Sequence, residues 1–318
     1  MNINESKGNY IASKIGLKNG VIVNSGTIAL LSALKLANIG CNDKVLINGY
    51  CCYSLYEAIK NVGAEPIILV PKNFYQLTDD EIINTIKKYN IKCYIAAHQY
   101  GIVQNIKNIR ETLPDLKIIE DIAQAWNVKV SGESIGKYSD YVVTSFGETK
   151  PLSYGQAGAV FSNNELHPYF DFHDKESRKS QNILLPYALY MCDDIDEKKL
   201  VTCANDIVEK QRNIAKILTN YFIDNENVII HQDNNLDEST FQRFPVIVSN
   251  PKYKNEIEKN LNDNNILFQW QNDKEVWELD MVKRTDTKVI QTVEKPIYAL
   301  IRTRQNNIDD VKKLVRRK

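Results

Sequence analysis

Three short stretches hold the residue types that chemistry needs. Ser25-Gly26-Thr27 stands between the apolar run Val21-Ile22-Val23 and an apolar helical pattern from Ile28 to Ala37. At a helix start the first amides lack intrahelical partners and the helix dipole favours an anion, while Gly26 lets the backbone approach closely. That combination could cradle a phosphate; taken alone, it serves equally as an ordinary helix cap. Glu120-Asp121 follows Lys117-Ile118-Ile119, so two carboxylates end a buried strand pattern, where each needs a partner. A protonated ring nitrogen is one such partner; a helix cap or a structural salt bridge is another. Lys150 closes the stretch Ser145-Phe146-Gly147-Glu148-Thr149-Lys150, after the run Tyr141-Val142-Val143-Thr144 and ahead of Pro151, Gly155 and Gly158. A lysine whose pKa is lowered by desolvation or nearby cations is a nucleophile that forms a Schiff base with a carbonyl. In isolation it is one more solvated lysine.

The three stretches share a setting, because each follows a short β-rich run. Through about residue 165 such runs alternate with helical patterns. The runs lie at Val21–Val23, Lys44–Ile47, Pro66–Val70, Tyr94–Ala97, Ile118–Ile119, Tyr141–Val143 and Ala159–Phe161. Between them, Ile28–Ala37 and Ser54–Val62 read as helices, and Thr78-Asp79-Asp80-Glu81 has the form of a capping box opening another. Several runs are apolar on successive residues, as strands covered on both faces are. Alternation of this kind predicts an α/β fold with a mostly parallel sheet flanked by helices, and ligands bind outside the carboxyl ends of such strands. The second half reads differently. A long helix over Lys199–Asp224 precedes strand patterns at Val228–His231, Phe244–Val248, Ile266–Trp270 and Pro296–Ile301, with helices at Lys254–Leu261 and Ile308–Val315. The expected organisation is a large domain over 1–200 and a small α+β domain over 201–318.

Composition removes several classes of partner. The chain has 318 residues, 43% of them hydrophobic, and forty Lys+Arg balance forty Asp+Glu. No global basic field draws it to nucleic acid or to an anionic membrane. No apolar run is long enough to span a bilayer, and Met1–Tyr10 lacks the apolar core of a secretion signal. The six cysteines show no C-x-x-C pair, so a reduced, cytoplasmic protein is expected and no metal site is predicted. A G-x-G-x-x-G dinucleotide fingerprint does not follow the first strand.

Together, a phosphate cradle, an acid for a pyridinium nitrogen and a downstream lysine are what an enzyme needs to hold pyridoxal 5'-phosphate (PLP) covalently. The motifs resemble those of the DegT/StrS family of PLP-dependent sugar aminotransferases, which have the aspartate aminotransferase (type I) fold. Asn24 to Leu30 is similar to that family's S-G-T-x-A-L loop, and Gly63-Ala64-Glu65-Pro66 to its G-A-x-P stretch. His98-Gln99-Tyr100-Gly101 resembles H-x-[YF]-G, Glu120 to Ala125 resembles E-D-x-A-Q-A, and Ser145 to Lys150 resembles S-F-x-x-x-K. Gly155-Gln156-Ala157-Gly158 is a loosened G-E-G-G. The resemblance covers residues 8 to 165 well and the remainder in outline.

What the resemblance implies is specific. The large domain has a seven-stranded-type sheet. Lys150 bonds to the cofactor and then shuttles a proton, Asp121 pairs with the pyridine nitrogen, and Gln124 sits near the phenolic oxygen. Ser25, Gly26, Thr27 and Ser145 bind the phosphate. Lys150 also separates the chain from a dehydratase branch that has histidine there. The implied reaction moves an amino group from an amino-acid donor, glutamate, to a keto group on a nucleotide-linked sugar, for surface polysaccharide or related biosynthesis, in a homodimer. Some family features are not found. Cys52 stands where many members have a stacking aromatic, which leaves Tyr53, or Tyr50, to supply a ring face, or leaves the cofactor with weaker stacking. The usual N-terminal segment and the G-Y-N-Y-R-M-like stretch have no counterpart, with Asn182 a poor substitute for the latter's asparagine. The missing N-terminal segment and the loosened G-E-G-G favour the competing reading, a PLP-binding regulatory or assembly subunit with lost or altered chemistry, whereas the intact set of Asp121, Gln124, Ser145 and Lys150 favours the enzyme. His98 is expected to be structural, and Trp126 either borders the pocket or packs in the core.

Overall fold

The computed structural model describes residues 3–72, 76–130, 132–155, 157–166, 194–231, 238–271, 275–290 and 296–316. Its first half follows the residue pattern: α1 (Ile3–Ser13), β1 (Asn19–Val23), α2 (Gly26–Leu36), β2 (Lys44–Asn48), α3 (Tyr53–Asn61), β3 (Glu65–Leu69), α4 (Asp79–Tyr89), β4 (Cys93–Ala97), α5 (Lys107–Thr112) and β5 (Lys117–Asp121). A two-residue hairpin, β6 (Lys129–Val130) and β7 (Glu133–Ser134), then leads to β8 (Tyr141–Ser145) and β9 (Gly158–Ser162). The long helix Glu197–Phe222 precedes β10 (Val228–Ile230), β11 (Phe244–Val248), β12 (Phe268–Trp270), β13 (Lys288–Ile290) and β14 (Tyr298–Ile301). The capping box is present: Thr78 Oγ1 accepts from the Glu81 amide, and the Thr78 amide donates to the Glu81 carboxylate.

Eight strands form the large sheet in the order β1-β9-β8-β5-β4-β2-β3-β13, and β9 alone runs against the rest. The mostly parallel sheet is as expected; its eight strands are one more than the seven of the expected type. The eighth strand, β13, comes from the second half and pairs in parallel with β3, Val289 opposite Ile68. Three residues are too few for any period to show, so only tertiary pairing makes this segment a strand. β9 was legible as a strand, but direction is not written in a five-residue run.

Side-chain alternation along each strand divides the core by face. In β2, Val45 and Ile47 join a cluster with Leu30, Leu34, Leu55 and Ile59 of α2 and α3. Leu46, between them, turns to the opposite face, with Ile82, Ile86 and Ile109 of α4 and α5. On that side of β1 and β8, Ile22 and Val142 pack with Ile11 of α1 and with Leu200, Val201 and Ala204 of the long helix. Farther along, Leu218 and Phe222 of the same helix lie with Phe244, Val246 and Ile301. The helix thus spans both cores.

The second sheet is antiparallel throughout, in the order β10-β11-β14-β12. No helix among the described residues is long and apolar enough to cross a membrane. Asn182 and Gln156 lie outside the described residues.

Candidate active site

β1, β2, β4, β5 and β8 send their carboxyl ends to one edge of the sheet, so the residues that follow them meet there. They enclose a cavity of ≈ 380 Å³. Ser25, Gly26, Thr27, Asp121, Gln124, Ser145 and Lys150 all line it.

The α2 entrance is built as both a cap and a cradle. Ser25 is extended (φ −161°, ψ 165°) and its Oγ accepts from the Ile28 amide at 3.2 Å, which leaves its hydroxyl hydrogen to donate. The first turn of α2 has no acidic side chain to compensate the helix dipole. A Cβ on Gly26 would fall 2.8 Å from Ser145 Cβ, and one on Gly158 would fall 2.6 Å from the Ser25 carbonyl. The start of α2, the end of β8 and the start of β9 therefore pack at glycine spacing and bring the Ser145 hydroxyl beside the unpaired amides of the helix. Ser145 Oγ accepts from the Gly147 amide at 3.3 Å and likewise keeps its hydrogen.

Strand alternation separates the two carboxylates. Glu120 is buried on the far side of the sheet, with Oε1 3.2 Å from His98 Nε2 and Oε2 accepting from the Gly136 amide and Ser139 Oγ, both at 2.8 Å. His98 Nδ1 accepts from the Gln104 amide at 3.0 Å, so the hydrogen on Nε2 goes to Glu120. His98 touches the cavity, yet both of its nitrogens are engaged, in keeping with a structural role. Asp121 turns toward the cavity. Its Oδ1 accepts from the Ala123 amide at 2.9 Å, and its other oxygen has no partner among the described residues. Burial pushes the Asp121 carboxyl above its ordinary range, and the Ala123 amide and Lys150 pull it only part of the way back. Lys150 Nζ also has no hydrogen-bond or ion-pair partner among the described residues, although the lysine amide is held by Gly147 O at 2.9 Å.

Tyr53 is not among the residues that line the cavity; its ring lies against Tyr56, centroids 5.7 Å apart. α3 starts at Tyr53, and residues three apart share a helix face, so 53 and 56 turn away together while Cys52, Ser54 and Leu55 form the wall. Tyr50 is no substitute, being buried edge-on against Trp277 at 5.0 Å. Trp126 belongs to the core, its indole N–H donating to Asn205 at 3.0 Å.

Thr240 has no sequence motif around it, yet its Oγ1 donates to the backbone carbonyl of Gln124 at 2.6 Å. The nearest signal was Gly101: its φ is +79°, and a Cβ there would strike Thr240 Oγ1 at 2.1 Å. The H-x-[YF]-G stretch is therefore a joint with the second half of the chain.

Residues 8–172 match the profile of the DegT/DnrJ/EryC1/StrS aminotransferase family. The GDP-perosamine synthase of Vibrio cholerae is 28% identical over 171 residues, 51% of this chain and 46% of that protein. The GDP-perosamine synthase of Escherichia coli O157:H7 is 27% identical over 276 residues, 81% of this chain and 75% of that protein. The chain spans less than half the length of several curated relatives it matches. The crystal structure of a DegT DnrJ EryC1 StrS aminotransferase from Brucella abortus shares the fold, with a TM-score of 0.80 at 20% identity, over 98% of this chain and 87% of that one.

Proposed function

The chain belongs to the DegT/DnrJ/EryC1/StrS aminotransferase family, and we propose that it is a PLP-dependent aminotransferase acting on a nucleotide-linked keto sugar. One observation carries the reading. A glycine-spaced anion cradle, a carboxylate oxygen without a partner and an unpaired primary amine face the same cavity. That donor set fits a compound with a phosphate, a protonated ring nitrogen and an aldehyde.

Ser25, Gly26, Thr27 and Ser145 would hold the phosphate, Gln124 the phenolic oxygen and Asp121 the ring N–H. Lys150 Nζ would bond to the aldehyde carbon. When bound, PLP supplies an electron sink that makes the proton on the amino-bearing carbon removable. Lys150 Nζ, once free, takes that proton and returns it elsewhere. Asp121, ionised, keeps a cationic N–H opposite it protonated, because such a charge-assisted bond is strong where water is scarce. The backbone carbonyl of Gln124 is held by Thr240, and its carboxamide Nε2 donates to Gln99 Oε1 at 3.4 Å.

Glutamate as the donor rests on the family resemblance. The sugar class is supported by relatives named as GDP-perosamine synthases. Absorbance of the purified protein tests the chemistry. Added PLP should give the band of a lysine-bound cofactor, glutamate should bleach it, and a nucleotide-linked keto sugar should restore it. A band that no amino acid bleaches would overturn the aminotransferase reading in favour of a binding subunit.

The reading extends to a homodimer. Within one chain, the second half braces one side of the site from behind, Thr240 Oγ1 donating to the backbone carbonyl of Gln124, while the described lining residues all come from the first half. Keeping water from the other side calls for a further wall, and a two-fold partner is the commonest source of one. Light scattering on the PLP-bound protein should give about twice the 36.5 kDa of one chain. A single-chain mass with the cofactor still bound would sink the dimer.

A further inference from the structure

We propose that Arg304, assisted by Gln242, is a positioning residue that sets where Lys150 stands in the cavity. The proposal rests on the reading of Lys150 as the residue that bonds to PLP. From Phe146 to Gly155 the chain forms neither helix nor strand. Its own ties are few: the Lys150 amide on Gly147 O, the Tyr154 and Gly155 amides on Phe146 O, and Ser153 Oγ on Glu148 O.

The three consecutive carbonyls at 148, 149 and 150 are instead taken by side chains from far along the sequence. Arg304 Nη1 donates to Glu148 O at 2.7 Å and to Lys150 O at 2.8 Å. Gln242 Nε2 donates to Thr149 O between them, at 2.8 Å. The two donors are locked to each other, because the buried Thr303 Oγ1 donates to Phe241 O at 2.6 Å and Gln242 O at 3.1 Å. Lys210 Nζ of the long helix holds Arg304 O at 2.9 Å. Arg304 has no carboxylate partner among the described residues, so its charge is directed to the loop carbonyls, where charge-assisted bonds are the stronger kind.

A lysine amine rides on a flexible four-carbon stem, and its backbone decides what it can reach. With the loop pinned from the second half, the reach of Nζ is set by how the small sheet seats on the large one.

The test uses the full-length protein, stripped of cofactor, and two probes. Pyridoxamine 5'-phosphate cannot bond to a lysine, so its affinity reads the cradle alone. PLP followed by borohydride at timed intervals reads how fast Lys150 is captured, with peptide mapping to locate the pyridoxyl group. R304A should bind pyridoxamine 5'-phosphate within about twofold of wild type yet capture PLP about 10- to 100-fold more slowly, the loss expected from small misplacement. Both Arg304 bonds leave from one nitrogen, so R304K can replace them and should restore most of the rate. Q242A should give a smaller slowing. Wild-type capture rates in R304A overturn the proposal, as does a parallel loss of both probes that R304K fails to repair. Should R304A not fold, Q242A decides: capture as fast as wild type overturns the proposal. A wild-type label found away from Lys150 overturns the cofactor reading and the proposal together. A wild-type label on Lys150 beside an equally fast R304A overturns the proposal alone.

Discussion

Replacing Lys150 by alanine is expected to abolish covalent capture of PLP and to lower turnover by at least about 10⁴-fold, since nucleophile and proton carrier are lost together. Among the described residues, Lys150 is the sole lysine on the cavity wall. Its Nζ has no partner among the described residues, so the truncation removes chemistry and little else. The folded state should change by less than about 1 kcal/mol, as for a substitution that breaks no buried contact. PLP should still bind reversibly, because Ser25, Gly26, Thr27 and Ser145 are untouched. Borohydride reduction of wild type followed by peptide mapping should find the pyridoxyl group on Lys150, and K150A should carry none. A label on another lysine, or K150A with a few per cent of wild-type turnover, would refute the assignment.

The second large effect is expected at Asp121. D121N keeps the shape and can keep the bond from the Ala123 amide, but it removes the charge that holds a ring nitrogen protonated. Turnover should fall by about 10²- to 10⁴-fold. In the cofactor-free protein the same change should cost no stability at neutral pH, and it should add some. Burial raises the folded carboxyl above its ordinary value of 3.8, so the folded state penalises the ionised form. Above the raised value wild type bears the whole penalty. As pH falls through that value toward the unfolded one, protonation relieves it and the two proteins converge. Thermal unfolding of both apoproteins across that range checks the sign. A gap that widens on acidification, or a variant with near-normal turnover, would mean the carboxylate has another job.

Much of this site was legible because its parts are local. Ser25-Gly26-Thr27, Glu120-Asp121 and Ser145 to Lys150 each sit at a strand's carboxyl end, and parallel strands bring such ends together without further instruction. What escaped the sequence is what depends on orientation or on distant pairing. Whether Tyr53 or Cys52 faced the cavity turned on where α3 begins, a matter of a single residue. Glu120 and Asp121 looked like one acidic pair, yet neighbours on a strand point to opposite faces, and only Asp121 met the cavity. Thr240, Gln242 and Arg304 had no local signature at all. They act on carbonyls more than ninety residues away, through contacts that exist only after the second half has docked.

The pairing of β13 with β3 bears on how the chain is made. Ile67, Ile68 and Leu69 form an apolar strand whose outer side is completed by residues 288–290, roughly two hundred and twenty positions later. During synthesis that side stays open while nearly the whole of the remaining chain is still to be translated. An open edge of this composition offers unpaired amides and carbonyls to any other nascent copy. Closing it late means paying the loop entropy of a very long-range contact, which slows the final step of folding. Until that pairing forms, the outer side of β3 is an edge that a neighbouring chain could take, so the late segment 288–290 serves to seal the sheet as well as to extend it.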